Sequence, residues 1–144
     1  MHRTNHLIQN PIMQELSTIS NALVAANILR DQMHALDHEE VWVLYLTSSL
    51  KPIGTEMISK GTLTETAIDC RTVLRQVLLH NAYGLVLLHN HPSGDPRPSQ
   101  HDIQFTDNLR RACKLMDVIL PDHIITSEDS FFSFAEGKTI PFNL

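Results

Sequence analysis

The sequence predicts a single α/β domain in which helices pack on a mixed β-sheet. Two observations predict this class: apolar residues recur at helical spacing in three segments, and short β-branched or aromatic runs lie between those segments. The chain has 144 residues and 42% of them are hydrophobic, which is the size at which one hydrophobic core is usual. We therefore expect one domain over residues 20–144, preceded by a weakly patterned segment over residues 1–19.

The first predicted elements are a helix and a β-hairpin. Ser20 is placed to cap a helix whose apolar residues recur at helical spacing. A β-branched and aromatic run begins at Val41, and a second extended piece covers residues 53–58 after a group of turn-forming residues. The apolar series of the helix is Leu23, Val24, Ile28, Leu29 and Met33.

The next predicted elements are a helix and a buried strand. Residues 70–80 place apolar side chains on one helical face, and Asn81 and Gly84 are expected to close the helix. The run LVLLHNH follows and predicts a strand. Residues 92–98 read PSGDPRP and predict a loop, because each proline removes a backbone donor from any strand.

A third helix and two closing strands complete the predicted domain. Ser99 begins the helix, and the segments VILPDHIIT and FFSFAEG predict strands. The buried residues expected on the helix are Ile103, Leu109, Ala112 and Met116.

Charge and composition disfavour several classes of protein. The net charge is -5, with 11 basic against 16 acidic residues and no basic run, so direct DNA binding is not expected. Cys70 and Cys113 form neither a Cys-x-x-Cys site nor a disulfide framework, which is typical of a reducing compartment. No apolar run reaches the roughly 20 residues of a membrane span, and the first ten residues do not resemble a signal peptide. We expect a cytoplasmic protein.

His89 and His91 end the buried strand at positions i and i+2. Alternate side chains of a strand point to one face about 6 to 7 Å apart, so both imidazoles can bind one zinc ion. An isolated His-x-His pair also occurs as one satisfied strand-end residue and one exposed loop residue.

Ser99 and Asp102 lie in the first turn of the third helix, three residues apart and on one side of it. One interpretation is a capping box, in which Asp102 reaches back to the backbone of Ser99. The other makes Asp102 a third metal ligand, because a hydrolytic zinc site uses three protein ligands and leaves one position for water. Ser99 can cap the helix under either interpretation.

The string His-x-His, seven residues, Ser-x-x-Asp resembles the JAMM (MPN+) metal motif. The surrounding segments KGTLTETAID, LVLLHNHPSG and LPDHIIT are similar to the RadC branch of that group, the UPF0758-type proteins. The resemblance implies a JAMM/MPN-like, cytidine-deaminase-like fold and a metalloprotease that cleaves a peptide or isopeptide bond with a metal-activated water. It implies zinc held by His89, His91 and Asp102, with Ser99 stabilising the oxyanion and an upstream glutamate as general base.

The upstream glutamate is Glu39 or Glu40, which are adjacent before the VWVLYL strand and should face opposite sides of it. By its offset from that strand, Glu39 resembles the general base of the family, and Glu40 is expected to be a solvated neighbour. Where JAMM deubiquitinases usually have a glycine, this chain has Trp42. Specificity for ubiquitin is therefore not carried over.

Other expectations concern residues outside the motif. Longer RadC proteins resemble a fusion with a helix-hairpin-helix module, for which this chain has no room. Asn90 should point away from the metal and anchor the loop, His101 should be exposed, and His123 should either line the site or pack, with packing favoured.

The sequence disfavours one other zinc chemistry and leaves one alternative function. A zinc deaminase would need His-x-Glu followed by Pro-Cys-x-x-Cys, and neither cysteine lies in that pattern. A scaffold that binds zinc without catalysis, linked to DNA repair through partners, would use the same ligands. The leading hypothesis is a zinc hydrolase that acts on a peptide or protein substrate.

Overall fold

Among the residues that the structure describes, a seven-stranded mixed β-sheet carries one helix on one face and two on the other. The computed structural model describes residues 4–5, 22–33, 35–61 and 69–142. In chain order the strands are β1 (Thr4–Asn5), β2 (Glu40–Leu46), β3 (Pro52–Lys60), β4 (Gly84–Asn90), β5 (Ile119–Thr126), β6 (Ser130–Ser133) and β7 (Lys138–Pro141). The helices are α1 (Ala22–Met33), α2 (Cys70–Leu79) and α3 (Gln100–Leu115). The α/β class predicted from the sequence is confirmed.

The strand order across the sheet is β1-β3-β2-β4-β5-β6-β7. Only β4 and β5 are parallel among these neighbours, and every other pair is antiparallel. The predicted hairpin of β2 and β3 is confirmed, and Thr47 N closes its turn by donating to Lys51 O at 2.8 Å. The central position of β2 and β4 places both strands between two helical layers.

The two central strands send alternate side chains into two separate cores. On β2, Trp42 and Leu44 pack with α1, whereas Val41 and Val43 pack with α2 and α3. On β4, even-numbered apolar residues join the α1 core and odd-numbered ones join the α2 and α3 core. Because both faces are covered, these strands have continuous apolar runs. The same alternation places His89 on the side of α2 and α3.

The parallel pair β4 and β5 brings the histidine-bearing end of β4 beside α3. In their register Leu87 is opposite His123 and His89 is opposite Ile125. The chain leaves β4 at Asn90, forms a loop and enters α3 before it reaches β5. The carboxyl ends of both strands and the N-terminus of α3 therefore lie at one edge of the sheet.

The predicted buried face of α3 is partly wrong. Leu109 is buried and Ala112 is partly buried as expected, but Ile103 and Met116 are 44% and 49% exposed. The buried residues of this helix are Asp102, Thr106, Leu109 and Cys113. The buried face differs from the prediction because its first two residues, Asp102 and Thr106, contact polar groups and not an apolar core.

Two further details differ from the sequence prediction, and one predicted residue lies where the structure cannot be compared with it. The C-terminal part forms β6 and β7, whereas one strand was predicted there, because Gly137 at φ 70° turns the chain back. Gly84 starts β4 and does not close α2, which ends with His80 as its C-cap and Asn81 at φ 54°. The predicted N-cap Ser20 lies outside the described residues.

None of the helices among the described residues is long and apolar enough to span a membrane.

Candidate metal centre

Two histidines at the end of β4 and one aspartate of α3 bring four donor atoms close together, two imidazole nitrogens and both carboxylate oxygens. His89 Nε2 lies 3.2 Å from His91 Nε2 and 3.3 Å from Asp102 Oδ1. Asp102 Oδ2 lies 3.2 Å from His91 Nε2. Zinc bonds of about 2.0 to 2.1 Å in a tetrahedral site imply ligand-to-ligand edges of about 3.3 to 3.4 Å. The three side chains thus form a triangle whose contacts are close to the edge length of a zinc tetrahedron, with a different Asp102 oxygen facing each histidine.

The N-terminus of α3 positions Asp102 through a complete capping box. Ser99 Oγ accepts from Asp102 N at 3.1 Å, and Asp102 Oδ2 accepts from Ser99 N at 2.9 Å. The capping-box interpretation of Ser-x-x-Asp is therefore confirmed, and the same carboxylate also contacts the two histidines. The cap fixes the rotamer of Asp102, and Ser99 stands exposed beside it.

Backbone contacts fix His91 and the loop that follows it. His91 N donates to Thr126 O at 2.8 Å, and its Nδ1 lies 3.0 Å from Asp95 O. A carbonyl oxygen can only accept, so Nδ1 carries a proton that it donates to Asp95 O, and Nε2 is the nitrogen that faces Asp102. Arg97 and Asp95 form an ion pair at 2.7 Å that braces the loop.

Glu39 lies on the same side of the sheet as the histidines. Its carboxylate and the ring nitrogens of His89 and His91 all lie within 4.8 Å of one another. Val41 is opposite His89 in the register of β2 and β4, so one step further along this face brings Glu39 level with His91. Two carboxylates, from Glu39 and Asp102, therefore approach the histidine pair from different elements.

Glu40 lies on the opposite face, as strand alternation predicts, but the expectation that it is solvated is wrong. The residue is fully buried. Its Oε1 accepts from Trp42 Nε1 at 3.0 Å, and its Oε2 lies 2.7 Å from His38 Nε2. These partners for both oxygens compensate for the loss of water around the carboxylate.

Asn90 points away from the histidines, as expected, and bridges two backbone groups at the start of β2. Its Oδ1 accepts from Glu40 N at 2.7 Å, and its Nδ2 donates to His38 O at 2.9 Å. The two groups flank Glu39, so this amide holds the backbone from which the Glu39 side chain projects.

A second layer of polar residues lies behind His89 and includes His123. His123 Nε2 lies 2.8 Å from His89 Nδ1, and His123 Nδ1 lies 2.6 Å from Thr106 Oγ1. His123 also stacks on Phe134, with ring centroids 4.7 Å apart. Packing was the favoured expectation for His123, but its nitrogens also join the site. Alternation along β5, beside β4, is the signal that places it on this face.

Protonation in the site follows from burial and from the neighbouring carboxylate. Burial lowers the pKa of His89. Burial alone would raise the pKa of Asp102, but its contacts with His89 and His91 hold that pKa well below the usual range. Burial would also lower the pKa of His91, yet Asp102 and the Asp95 carbonyl raise it. A neutral His89 and an ionised Asp102 are the forms that bind metal ions.

The comparisons with known proteins agree with this arrangement. The sequence model of the RadC-like JAB domain matches residues 19–139. A UPF0758 protein of Flavobacterium johnsoniae is 39% identical over 122 residues, which are 85% of this chain and 53% of that protein. A UPF0758 protein of Porphyromonas gingivalis is 38% identical over 125 residues, 86% of this chain and 55% of that protein.

A shorter relative is matched over more of its length. The UPF0758 protein YeeS of Escherichia coli (strain K12) is 42% identical over 104 residues, 72% of this chain and 70% of that protein. The chain spans about half the length of the first two relatives. The family match covers the histidine pair, the capped aspartate and the three described helices. The chain therefore belongs to the RadC-like JAB domain family.

Proposed function

We propose that this chain is a zinc-dependent hydrolase of the JAMM type that cleaves an amide bond of a peptide or isopeptide. The observation that carries the proposal is the triangle of the His89, His91 and Asp102 side chains, whose contacts of 3.2 to 3.3 Å suit the ligand spacing around a tetrahedral ion. Two imidazoles and one carboxylate also match the mixed nitrogen and oxygen ligand sets of catalytic zinc sites.

Glu39 is the proposed general base. A bound zinc ion supplies Lewis acidity, which makes water more acidic and polarises a carbonyl group. The Glu39 carboxylate lies within 4.8 Å of the nitrogens of both histidines, which is close enough to accept a proton from a water bound beside them. Glu39 takes the proton of the attacking water and delivers it to the leaving amine.

Ser99 is the proposed oxyanion donor. Its Oγ already accepts from Asp102 N, and the hydroxyl proton is able to donate elsewhere. Because Ser99 is exposed at the edge that carries the triangle, its hydroxyl can reach an oxygen that becomes negative in the transition state.

Zinc content distinguishes the two ligand sets that the geometry allows. Asp102→Asn and His89→Ala should lower the zinc bound per chain from about one to near zero, whereas Glu39→Gln should leave it unchanged. Elemental analysis of the purified, dialysed proteins gives this number. Loss of zinc in Glu39→Gln with retention in Asp102→Asn would assign the third ligand to Glu39 and remove it as base.

Hydrolysis tests the catalytic part of the proposal. The zinc-loaded chain should cleave members of a panel of peptides and lysine-linked isopeptides, and Glu39→Gln should lower the rate by about 10² to 10⁴. Glu136→Gln is the matched control, because Glu136 is exposed on the turn between β6 and β7. Glu40→Gln is unsuitable, since that carboxylate is buried and paired. A zinc-loaded chain inert on the whole panel would favour a binding module.

A further inference from the structure

A chain of buried hydrogen bonds runs from His89 to the backbone of α3. His89 Nδ1 contacts His123 Nε2 at 2.8 Å, and His123 Nδ1 contacts Thr106 Oγ1 at 2.6 Å. Thr106 Oγ1 in turn donates to the backbone oxygen of Asp102 at 2.6 Å. None of these side chains is more than 4% exposed, so the contacts are not shared with bulk solvent.

The carbonyl oxygen at the α3 end of this chain sets the direction of the hydrogen bond from Thr106, and the directions of the other two follow from it. It can only accept, so the single hydroxyl proton of Thr106 points to Asp102 O. Toward His123 the hydroxyl can then only accept, which puts a proton on His123 Nδ1. The other nitrogen of a neutral imidazole is an acceptor, so His123 Nε2 receives the proton of His89 Nδ1. His89 Nε2, which lies 3.3 Å from Asp102 Oδ1, is then unprotonated, whereas a hydrogen bond from Nε2 to this carboxylate would require the opposite direction along the chain.

We propose that Thr106 and His123 are positioning residues that hold His89 in the Nδ1-protonated tautomer and thereby raise the metal affinity of the site. The proposal rests on the proposed function in taking His89 as a ligand. Without the Thr106 hydroxyl, His123 can instead carry its proton on Nε2 and donate it to His89 Nδ1. His89 then has its proton on Nε2, where the metal would bind. Outer hydrogen bonds of this kind fix the tautomer and the ring orientation of ligand histidines.

The arrangement also joins three elements of the fold. Asp102 and Thr106 lie one turn apart on α3, so one helix provides both a candidate ligand and the end of the hydrogen-bond chain. His123 on β5 connects this helix to His89 on β4. The two histidine rings therefore orient each other from neighbouring parallel strands.

The tautomer of His89 is measured directly in the metal-free protein. Long-range nitrogen–proton NMR spectra of a ¹⁵N-histidine-labelled sample should show His89 with a protonated Nδ1 and an unprotonated Nε2. The Thr106→Val variant should show a mixture of tautomers or the Nε2-protonated form. A wild-type His89 protonated on Nε2 overturns the proposal, and this result is independent of metal binding.

Zinc affinity is the second measurement, by competition with a chromophoric chelator. Thr106→Val should bind zinc about 10-fold to 100-fold more weakly than wild type, and Thr106→Ser, which keeps the hydroxyl, should restore the affinity. Thr55→Val is the matched control, because the buried Thr55 of β3 has an Oγ1 without a hydrogen-bond partner among the described residues. Equal zinc affinity of Thr106→Val and wild type overturns the proposal.

A second pair of variants removes any dependence on how well Thr106→Val folds. His123→Phe keeps an aromatic ring against Phe134 but removes the acceptor for His89, whereas His123→Gln keeps an acceptor atom. The phenylalanine variant should lose affinity and the glutamine variant should retain more of it; the reverse order overturns the proposal. Failure of wild type to bind zinc is a different result, which counts against the proposed function, and the NMR spectrum then still decides the tautomer.

Discussion

Asn90 shows how one side chain can control the position of a residue on the other face of a sheet. It lies between His89 and His91 in sequence, and its amide bridges His38 O and Glu40 N on the α1 side. Because those two groups flank Glu39, their position fixes the backbone of the proposed base. The central residue of His-Asn-His is therefore part of the architecture of the site without facing it.

Replacement of Asn90 should be costly for the whole protein. Asn90→Ala leaves Glu40 N and His38 O without their partner, and a buried polar group left unsatisfied costs about 1 to 3 kcal/mol. We expect a loss of that size in the free energy of unfolding, measured by urea denaturation. Asn108→Ala is the control, since Asn108 is exposed on α3 and its loss should change stability by less than about 0.5 kcal/mol. Similar values for both variants would contradict this account.

The residues of the site differ in how far the sequence alone predicts them. The sequence spacing of His89, His91 and Asp102 predicts that these side chains lie close together, because strand alternation and one helical turn decide which side chains share a face. The solvation of Glu40 could not be predicted, since it depends on the buried partners Trp42 and His38. His123 joins the site only through the neighbouring strand, so its contact with His89 requires knowledge of the strand order.

The helix α3 shows where periodicity alone fails at the level of an element. Apolar periodicity predicted Ile103 and Met116 as buried, and the structure exposes both. The helix instead buries Asp102 and Thr106 in its first half, because these polar residues complete the hydrogen bonds of the site. A face that is polar at one end and apolar at the other has no single hydrophobic stripe for a sequence pattern to detect.

The contact between β4 and β5 gives a prediction at the same level. A Cβ atom added at Gly84 would lie 2.9 Å from Ile119 O and 3.2 Å from Ile119 Cβ. Gly84→Ala must therefore separate the starts of the parallel strands, and overpacking of this kind costs about 1 to 3 kcal/mol. Thermal and urea unfolding measure the loss. Zinc content should be unchanged, because Gly84 is at the opposite end of β4 from His89.

Gly137→Asn is the matched control for this glycine. Gly137 has φ 70° with nothing within 4 Å of an added Cβ, and asparagine tolerates that backbone conformation. A loss of stability in Gly137→Asn as large as that in Gly84→Ala would show that backbone freedom, and not the approach to Ile119, is what Gly84 contributes.

Charge is unevenly placed over the molecule as a whole. The total is 11 basic and 16 acidic residues, which gives the net charge of -5. Several basic side chains are nevertheless exposed on the two helices of one layer: Arg71, Arg75, Arg110, Arg111 and Lys114. Exposed apolar side chains accompany them, with Leu78 and Leu79 55% and 65% exposed. This layer is thus a mixed surface and not a continuous track of positive charge.

The chain should bind duplex DNA weakly at physiological salt. Affinity for DNA grows with the number of phosphates that lysine and arginine neutralise. In a molecule of net negative charge, the acidic side chains around a local basic group repel the phosphates. Among the exposed arginines, Arg111 also lies 3.4 Å from Asp107, which reduces its charge toward a partner. A fluorescence anisotropy titration of a labelled duplex at several salt concentrations measures the affinity and its salt slope.

Sub-micromolar binding with a steep slope, abolished by the double variant Arg71→Glu and Arg75→Glu, would contradict the prediction and make the layer of α2 and α3 a DNA-binding surface. Tight binding that survives the charge reversal would contradict it too, and would place the contact elsewhere on the molecule.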